Sequence, residues 1–294
     1  MHLLDETAGI LEDNMVSFGN LMVDASNASH HYIITDKEKV FVKVLKPDGD
    51  YRKLRNEVLF STKTLYGTNP LLEVTEYPTK HGPLRLSAWE WENRRPVGRD
   101  MTVSQAVTGA NELLKIHRSP MYTGIATGWE DEINQYGEEF TSHSFSYLTA
   151  DTQQQLKQLF VEVIQPATEL LALTEYSNVV CHGQATTEKL MVKDNNTVFW
   201  SDYEEVRSAP KEYDLAGFYV STVVQGKRPD LWDAFLNEYQ NQAGKPLNPT
   251  LFDEFVKLNM ARKALTMASL TLHAAREDDL REYLHNLMWV YTQK

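Results

Sequence analysis

A lysine and a glutamate near the beginning of the chain could act together on phosphate groups. Lys43 lies in the strand-like run VFVKVL, and Glu57 follows on the apolar-striped segment YRKLRNEVLFSTKTL. A carboxylate that pairs with a strand lysine can hold the ammonium group against nucleotide phosphates. The structural alternative is a lysine near a strand edge with its ammonium group in water, and the pair alone leaves both open.

Three further candidate residues lie in the second half of the chain. The run VVCHGQATTEKLMV carries His182 at the end of an apolar strand, and VFWSDYEEV places Asp202 at the end of the next strand. A carboxylate there could bind a divalent cation through its oxygens. In EYDLAGF, Asp214 could cap a helix that begins at Leu215. A turn histidine and a hairpin-end aspartate are the plain alternatives.

The elements that would position the first pair are mainly strands. Short β-branched and aromatic runs alternate with turn residues, and Thr35–Glu38 reads as a hairpin turn. The small polar residues of Asp24–His30 predict a loop. One helix is predicted over YRKLRNEVLFSTKTL. The predicted strands are VSFGNLMV, HYIIT, KVFVKVL, LLEVTEY and LRLSAWEWE.

After Asp100 the apolar spacing becomes helical. The sequence predicts an irregularity at Pro166, because proline lacks the N–H that a helix needs. Two short strands, KLMV and TVFWSD, interrupt the helices, with DNN as their turn. The predicted helices lie at 103–117, 156–171, 214–224, 231–239, 251–272 and 280–291.

These elements predict an α+β chain with two lobes. The first, residues 1–92, is a small antiparallel sheet with one helix. A connection at 93–100 leads to a larger, mainly helical lobe at 101–294, which contains a hairpin segment at 181–203. A ligand would be expected in the cleft between two such lobes.

The order of these motifs resembles the aminoglycoside phosphotransferase and choline kinase superfamily, which has a protein-kinase-like fold. The resemblance covers about Met15 to Tyr219, and LLKIHRSP is similar to a helix end common in these proteins. It implies ATP and Mg²⁺ as cofactors and a small molecule as substrate. By this resemblance, Lys43 contacts the phosphates, Glu57 pairs with Lys43, and Asp202 binds the metal. Asp214 supports the catalytic loop, which contains His182.

The sequence departs from that family at two positions. The family pattern is His-Gly-Asp, four residues and Asn, but this chain has Gln184 and Lys189 there. Glutamine can orient an attacking hydroxyl but cannot accept its proton. An ammonium group cannot coordinate a cation, although Lys189 could contact nucleotide phosphates as a point charge.

Three functions remain open from the sequence. The favoured one is a pseudokinase-like protein that binds a nucleotide or small ligand and transfers phosphate poorly or not at all. The second is an active ATP-dependent kinase of a hydroxyl compound, with Glu188, Glu204 or Glu205 as substitute base. The third is nucleotidyl transfer from the same site.

Composition narrows the classes of partner. The chain has 294 residues, 42% of them hydrophobic, and a formal net charge of −12 without a basic stripe, which disfavours nucleic acid as a partner. No apolar run approaches a membrane span, and the segment MHLLDETAGILEDN is acidic where a signal peptide would be basic. A single cysteine, Cys181, agrees with a reducing compartment, so the expected location is cytoplasmic.

Overall fold

The computed structural model describes residues 28–34, 39–45, 56–58, 60, 71–79, 82–90, 94–120, 145, 148–194, 196–271 and 280–285. The chain divides into two compact units. The first consists of Met1–Pro96 with Met191–Val206, and the second of Val97–Leu190 with Arg207–Lys294. Among the described residues, no helix has both the length and the apolar character needed to cross a membrane.

An antiparallel sheet of four strands lies in the first unit. Its strand order is β1-β2-β4-β3, and the pairing of β1 with β2 confirms the predicted hairpin, whose turn lies outside the described residues. Valine, isoleucine and aromatic residues favour such pleated segments. The strands are β1 (Ala28–Ile34), β2 (Lys39–Leu45), β3 (Leu71–Thr79) and β4 (Gly82–Glu90).

Strand β1 begins earlier than the sequence predicts. The segment Asp24–His30 is predicted as a loop, but its last three residues belong to β1 and pair with the end of β2. Long-range pairing therefore overrides the local turn preference of small polar residues. The rest of that segment and the predicted strand VSFGNLMV lie outside the described residues.

Five further short strands are found in the part of the chain that the structure describes. β5, β7 and β8 form a three-stranded sheet, and β6 pairs with β9. The predicted hairpin of β7 and β8 is confirmed, because the Lys193 N–H donates to the Thr197 carbonyl at 2.9 Å. Asn196 turns the chain with φ of 62°, a left-handed conformation that asparagine tolerates. These strands are β5 (Arg94–Pro96), β6 (Val179–Cys181), β7 (Leu190–Lys193), β8 (Val198–Trp200) and β9 (Arg207–Ala209).

The second unit is mainly helical, as the sequence predicts. Thr102 begins the first helix with a capping box, in which its hydroxyl accepts the Gln105 N–H and the Gln105 side chain accepts the Thr102 N–H. Residues 280–285 are also helical. The helices are α1 (Val103–His117), α2 (Ala150–Leu159), α3 (Gln165–Leu173), α4 (Glu212–Tyr219), α5 (Pro229–Ala243) and α6 (Pro249–Thr271).

Among the helical residues that the structure describes, two π-helical turns interrupt the regular pattern. One, Phe160–Ile164, joins α2 to α3, and the other, Val220–Gln225, follows α4. Pro166 lies in the first turn of α3, directly after the first of them. The irregularity that the sequence predicts at Pro166 thus takes the form of a widened turn, which accommodates the missing N–H.

The core of the second unit packs α2, α3, α4 and α6 together. Side chains such as Leu156, Leu171, Ala216 and Phe255 are completely buried in it. Cys181 and Ala209 belong to the same cluster, so the β6–β9 pair is packed against the helices. This packing fixes the segment that follows β6, where the candidate site residues lie.

Candidate functional site

The Asp214 carboxylate holds the backbone of the segment that follows β6. Its Oδ2 accepts the His182 N–H at 2.6 Å, and its Oδ1 accepts the Gly183 N–H at 2.9 Å. Charge-assisted hydrogen bonds of this kind are stronger than neutral ones. The prediction that Asp214 caps a helix beginning at Leu215 is wrong, because α4 begins at Glu212 and the Asp214 side chain reaches across to another segment.

His117, the last residue of α1, is a further partner of Asp214. Its Nε2 lies 3.0 Å from Asp214 Oδ2, and its Nδ1 lies 2.6 Å from the hydroxyl of Tyr239 on α5. An ionised carboxylate only accepts hydrogen bonds, so Nε2 carries the proton of the first contact. A buried chain of hydrogen bonds therefore runs from Tyr239 to the backbone at His182.

Burial and this network act on the pKa of Asp214 in opposite directions. Burial alone would raise it, but the hydrogen bond and charge of His117, with a smaller contribution from His182, hold the pKa of the carboxyl below its ordinary value of 3.8. Asp214 is therefore ionised in the folded protein near neutral pH, as its role as an acceptor requires.

Gln184 follows directly after the segment that Asp214 holds. Its N–H donates to His182 Nδ1 at 3.3 Å, and its carbonyl accepts the Thr186 N–H at 2.8 Å. Within the described part of the chain, the half-buried side chain of Gln184 has no hydrogen-bond partner. The hydrogen bonds above thus fix the backbone at position 184, and none of those between described residues involves the side-chain amide.

The backbone between Gln184 and β7 is a compact turn. The Lys189 N–H donates to the Thr186 carbonyl at 3.1 Å, and the Thr187 N–H donates to the Ser221 hydroxyl at 3.2 Å. Ser221 in turn donates to the Phe218 carbonyl at 2.9 Å. The half-buried Lys189 therefore has a fixed backbone position in the same unit as Gln184.

In the first unit, Glu57 lies on a buried helical segment. The Glu57 side chain is 6% exposed, and the neighbouring Asn56 donates its amide N–H to the Val206 carbonyl at 3.2 Å. Phe60 stacks on Tyr203 with ring centroids 4.6 Å apart. These two contacts attach the helical segment that carries Glu57 to the residues that follow Asp202.

Asp202 has an unusual backbone conformation. It follows β8 with φ of 70° and ψ of 66°, in the left-handed region. Aspartate tolerates this region better than most residues, and such strained positions are concentrated at functional sites. The conformation turns the chain sharply between the strand and the short helical turn Tyr203–Glu205.

Lys43 is described at the level of the backbone. It lies in β2 opposite His30 of β1 and Ser87 of β4. The Lys43 side chain lies outside what the structure describes, so its pairing with Glu57 stays a prediction.

The predicted site residues thus fall into two groups. Four belong to the second unit, and three of these, His182, Gln184 and Asp214, share one hydrogen-bond network. Lys43, Glu57 and Asp202 belong to the first unit.

A metal site at the centre of the second unit does not fit the residues present. The ligand atoms of His117, Cys181 and Asp214 lie within 4.8 Å of one another. However, the Cys181 thiol lies 3.5 Å and 3.4 Å from the Ala209 and Pro210 carbonyls, and burial, followed by the charge of Asp214, raises its pKa. A metal would need the thiolate, which this environment disfavours.

Two contacts of this network do not follow from the sequence patterns. Tyr239 on α5 contacts His117, which is 122 residues away in sequence. Arg262 on α6 donates to the Gly183 carbonyl at 3.0 Å, across 79 residues of sequence. The only sequence signal was their position on predicted helices.

The fold is similar to those of several solved kinases and phosphotransferases. No family model and no curated protein matches the sequence. A choline kinase from Streptococcus pneumoniae is similar with a TM-score of 0.61 at 11% identity, over 95% of this chain and 98% of that one. A Plasmodium vivax ethanolamine kinase has a TM-score of 0.59 at 12% identity, and the match covers 96% of this chain and 87% of that one. A spectinomycin phosphotransferase in complex with ADP and spectinomycin has a TM-score of 0.59 at 13% identity, and the match covers 90% of this chain and 86% of that one.

The chain therefore has the fold of the aminoglycoside phosphotransferases and the choline and ethanolamine kinases. The α+β, protein-kinase-like fold class predicted from the sequence is confirmed. Structural similarity at such low sequence identity establishes the fold alone, and function has to be argued from the site itself.

Proposed function

We propose that this protein binds a nucleotide as a member of the phosphotransferase fold and transfers its phosphate slowly or not at all. The observation that carries the proposal is the segment at His182–Gln184. Asp214 holds its backbone, and its last residue, Gln184, has a half-buried side chain that ends in an amide and not in a carboxylate.

Nucleotide binding is supported by the fold and by the cationic residues that it carries. The similar spectinomycin phosphotransferase has been solved with ADP and with AMP. In this chain Lys43, supported by Glu57, would contact the phosphates, and Lys189 would add a second positive charge.

Phosphoryl transfer would be slow because position 184 lacks a base. The amide oxygen of Gln184 can accept a hydrogen bond from an acceptor hydroxyl and orient it, but it cannot take the proton. Loss of a general base costs roughly 10² to 10⁴ in rate.

The residues present fit Mg²⁺ only in part. Asp202 offers carboxylate oxygens of the kind that Mg²⁺ prefers, but the second expected ligand position carries the ammonium group of Lys189. Nucleotide binding should therefore depend only weakly on Mg²⁺, since the Lys189 ammonium group would compensate part of the phosphate charge.

Thermal unfolding with ATP, with and without Mg²⁺, tests the binding half of the proposal. Ligand at 100 times its dissociation constant adds about 2.7 kcal/mol to stability, which gives a clear rise in Tm. Lys43→Ala should abolish the rise, whereas Lys115→Ala, which removes an exposed lysine of α1, should retain it. Absence of any shift with the unsubstituted protein would overturn nucleotide binding.

Radiolabelled ATP tests the catalytic half. Little release of γ-phosphate is expected from the unsubstituted protein, and Gln184→Asp with Lys189→Asn should raise it. Fast γ-phosphate release or transfer by the unsubstituted protein would instead establish an active kinase. Transfer of label from α-phosphate would establish nucleotidyl transfer.

A further inference from the structure

Arg262 holds the carbonyl of the residue that precedes Gln184. Its Nη1 donates to the Gly183 carbonyl oxygen at 3.0 Å and lies 3.4 Å from the Tyr213 hydroxyl. Arg262 is half-buried on α6, whereas Gly183 belongs to the segment after β6. The contact thus connects two elements that are distant in sequence.

The peptide unit between Gly183 and Gln184 is held at both of its polar ends. Arg262 binds its carbonyl oxygen, and His182 Nδ1 accepts its N–H at 3.3 Å. The two preceding peptide N–H groups are already bound by Asp214. Hydrogen bonds to side chains therefore fix three successive peptide units.

This peptide unit needs such support because of its glycine. Gly183 has φ of 85°, in the left-handed region that glycine occupies without a steric penalty. The same freedom makes rotation of the following peptide unit easy. Without a donor on the Gly183 carbonyl, the peptide could turn over and move the Cα–Cβ direction of Gln184.

The surroundings of Arg262 make it a rigid donor. Tyr213, which it contacts, lies beneath the guanidinium of Arg207 at 5.1 Å and packs edge-on against Phe255. On the same helix, Asn259 donates to the Tyr213 carbonyl at 3.4 Å. The helix is thus tied to Tyr213 at two points, and Arg262 has little freedom to move away from Gly183.

We propose that Arg262 is a positioning residue, which fixes the peptide unit between Gly183 and Gln184 and thereby sets where the Gln184 amide is presented to a ligand. The proposal rests on the proposed function for its consequence, but the hydrogen bond itself can be tested without any ligand. A purely structural role, in which Arg262 only attaches α6 to its neighbours, is the alternative that the test must separate.

Nuclear magnetic resonance of the full chain without ligand provides the first test. In Arg262→Met, the Gly183 carbonyl carbon and the Gln184 amide should shift, and exchange of the Gln184 N–H should accelerate at least about tenfold. Arg262→Lys keeps one charged donor and should restore part of both effects. Lys263→Met, an exposed neighbour on α6, is the matched control and should leave these signals unchanged.

Two results of this test would overturn the proposal. In the first, the Gly183 and Gln184 signals of Arg262→Met are the same as those of the unsubstituted protein. The other is a uniform acceleration of exchange across α4 and α6, which identifies a purely structural role. If Arg262→Met does not fold, Arg262→Gln, which retains a shorter donor, is measured against the same criteria.

A second test measures phosphoryl-transfer kinetics in a protein that already carries Gln184→Asp and Lys189→Asn. There Arg262→Met should lower kcat at least about tenfold while the KM for ATP changes less than about threefold, because the change affects orientation at position 184 and not phosphate contact. A fall in kcat that is matched by an equally large rise in the KM for ATP would overturn the positioning role. Failure of the background to bind ATP at all would count against the proposed function alone, since the ligand-free spectra test the hydrogen bond independently.

Discussion

His117 Nε2 lies 3.0 Å from the same oxygen of Asp214 that accepts the backbone N–H of His182 at 2.6 Å. One carboxylate oxygen therefore joins the end of α1 to the segment after β6. The side chains of His117 and Asp214 are almost completely shielded from solvent, with exposed fractions of 2% and 0%. In such a setting an unpaired group is costly, so each member of the network depends on the others.

Replacing Asp214 by asparagine should strongly destabilise the second unit. Asparagine keeps the shape, but its amide nitrogen would face one of the backbone N–H groups of His182 and Gly183 as a second donor. Breaking a buried, charged network costs about 3 kcal/mol or more. Denaturant unfolding followed by circular dichroism measures the loss.

The matched control for Asp214→Asn is Asp230→Asn. Asp230 pairs with Arg228 at 2.7 Å on the surface and should leave the unfolding midpoint unchanged, since solvent screens exposed pairs. Equal effects of the two substitutions would contradict a special role for the buried carboxylate.

The lowered pKa of Asp214 predicts an acid limb in the stability profile. Its folded-state value lies below the ordinary value of 3.8, so ionised Asp214 stabilises the fold above the unfolded-state pKa. This stabilisation should begin to decline near about pH 5. It should be lost as the pH falls through 3.8 and then through the lowered folded-state pKa. Unfolding midpoints measured between pH 3 and 7 should show a shallower acid limb in Asp214→Asn, and an identical slope would contradict the assignment.

The sequence predicts the helices and strands of this chain better than it predicts the site contacts. Periodicity locates α1, α5 and α6 because each has an apolar face or a long buried surface that repeats along the chain. It misplaces the start of β1, where pairing with β2 recruits residues of low strand propensity.

The site contacts depend on distances that local patterns do not encode. His182, Gln184 and Asp214 could be named from motif order, but the helical position of Asp214 was wrong because its side chain serves another segment. Tyr239 and Arg262 carry no motif, and only tertiary packing of α5 and α6 brings them to the network. A prediction of such contacts needs the packing of the whole unit.

Removing the hydroxyl of Tyr239 should weaken the network without filling or emptying much space. In Tyr239→Phe, His117 Nδ1 loses its partner at 2.6 Å in a buried position, which costs about 1 to 3 kcal/mol. Thermal unfolding of Tyr239→Phe measures this loss. Tyr219→Phe is the control, because the Tyr219 hydroxyl has no hydrogen-bond partner among the residues that the structure describes, and a comparable loss there would argue against the network.

The lone cysteine should be unreactive in the folded protein. Cys181 is fully buried in the β6–β9 pair, and burial followed by the charge of Asp214 raises the pKa of its thiol, so little of the reactive thiolate forms near neutral pH. A chromogenic disulfide reagent should therefore label the native protein at least about a hundredfold more slowly than the unfolded protein. Because the chain has one cysteine, Cys181→Ala gives the blank directly. Fast labelling under native conditions would mean that β6 and β9 separate readily, and the segment that Asp214 holds would then be far less rigid than its hydrogen bonds indicate.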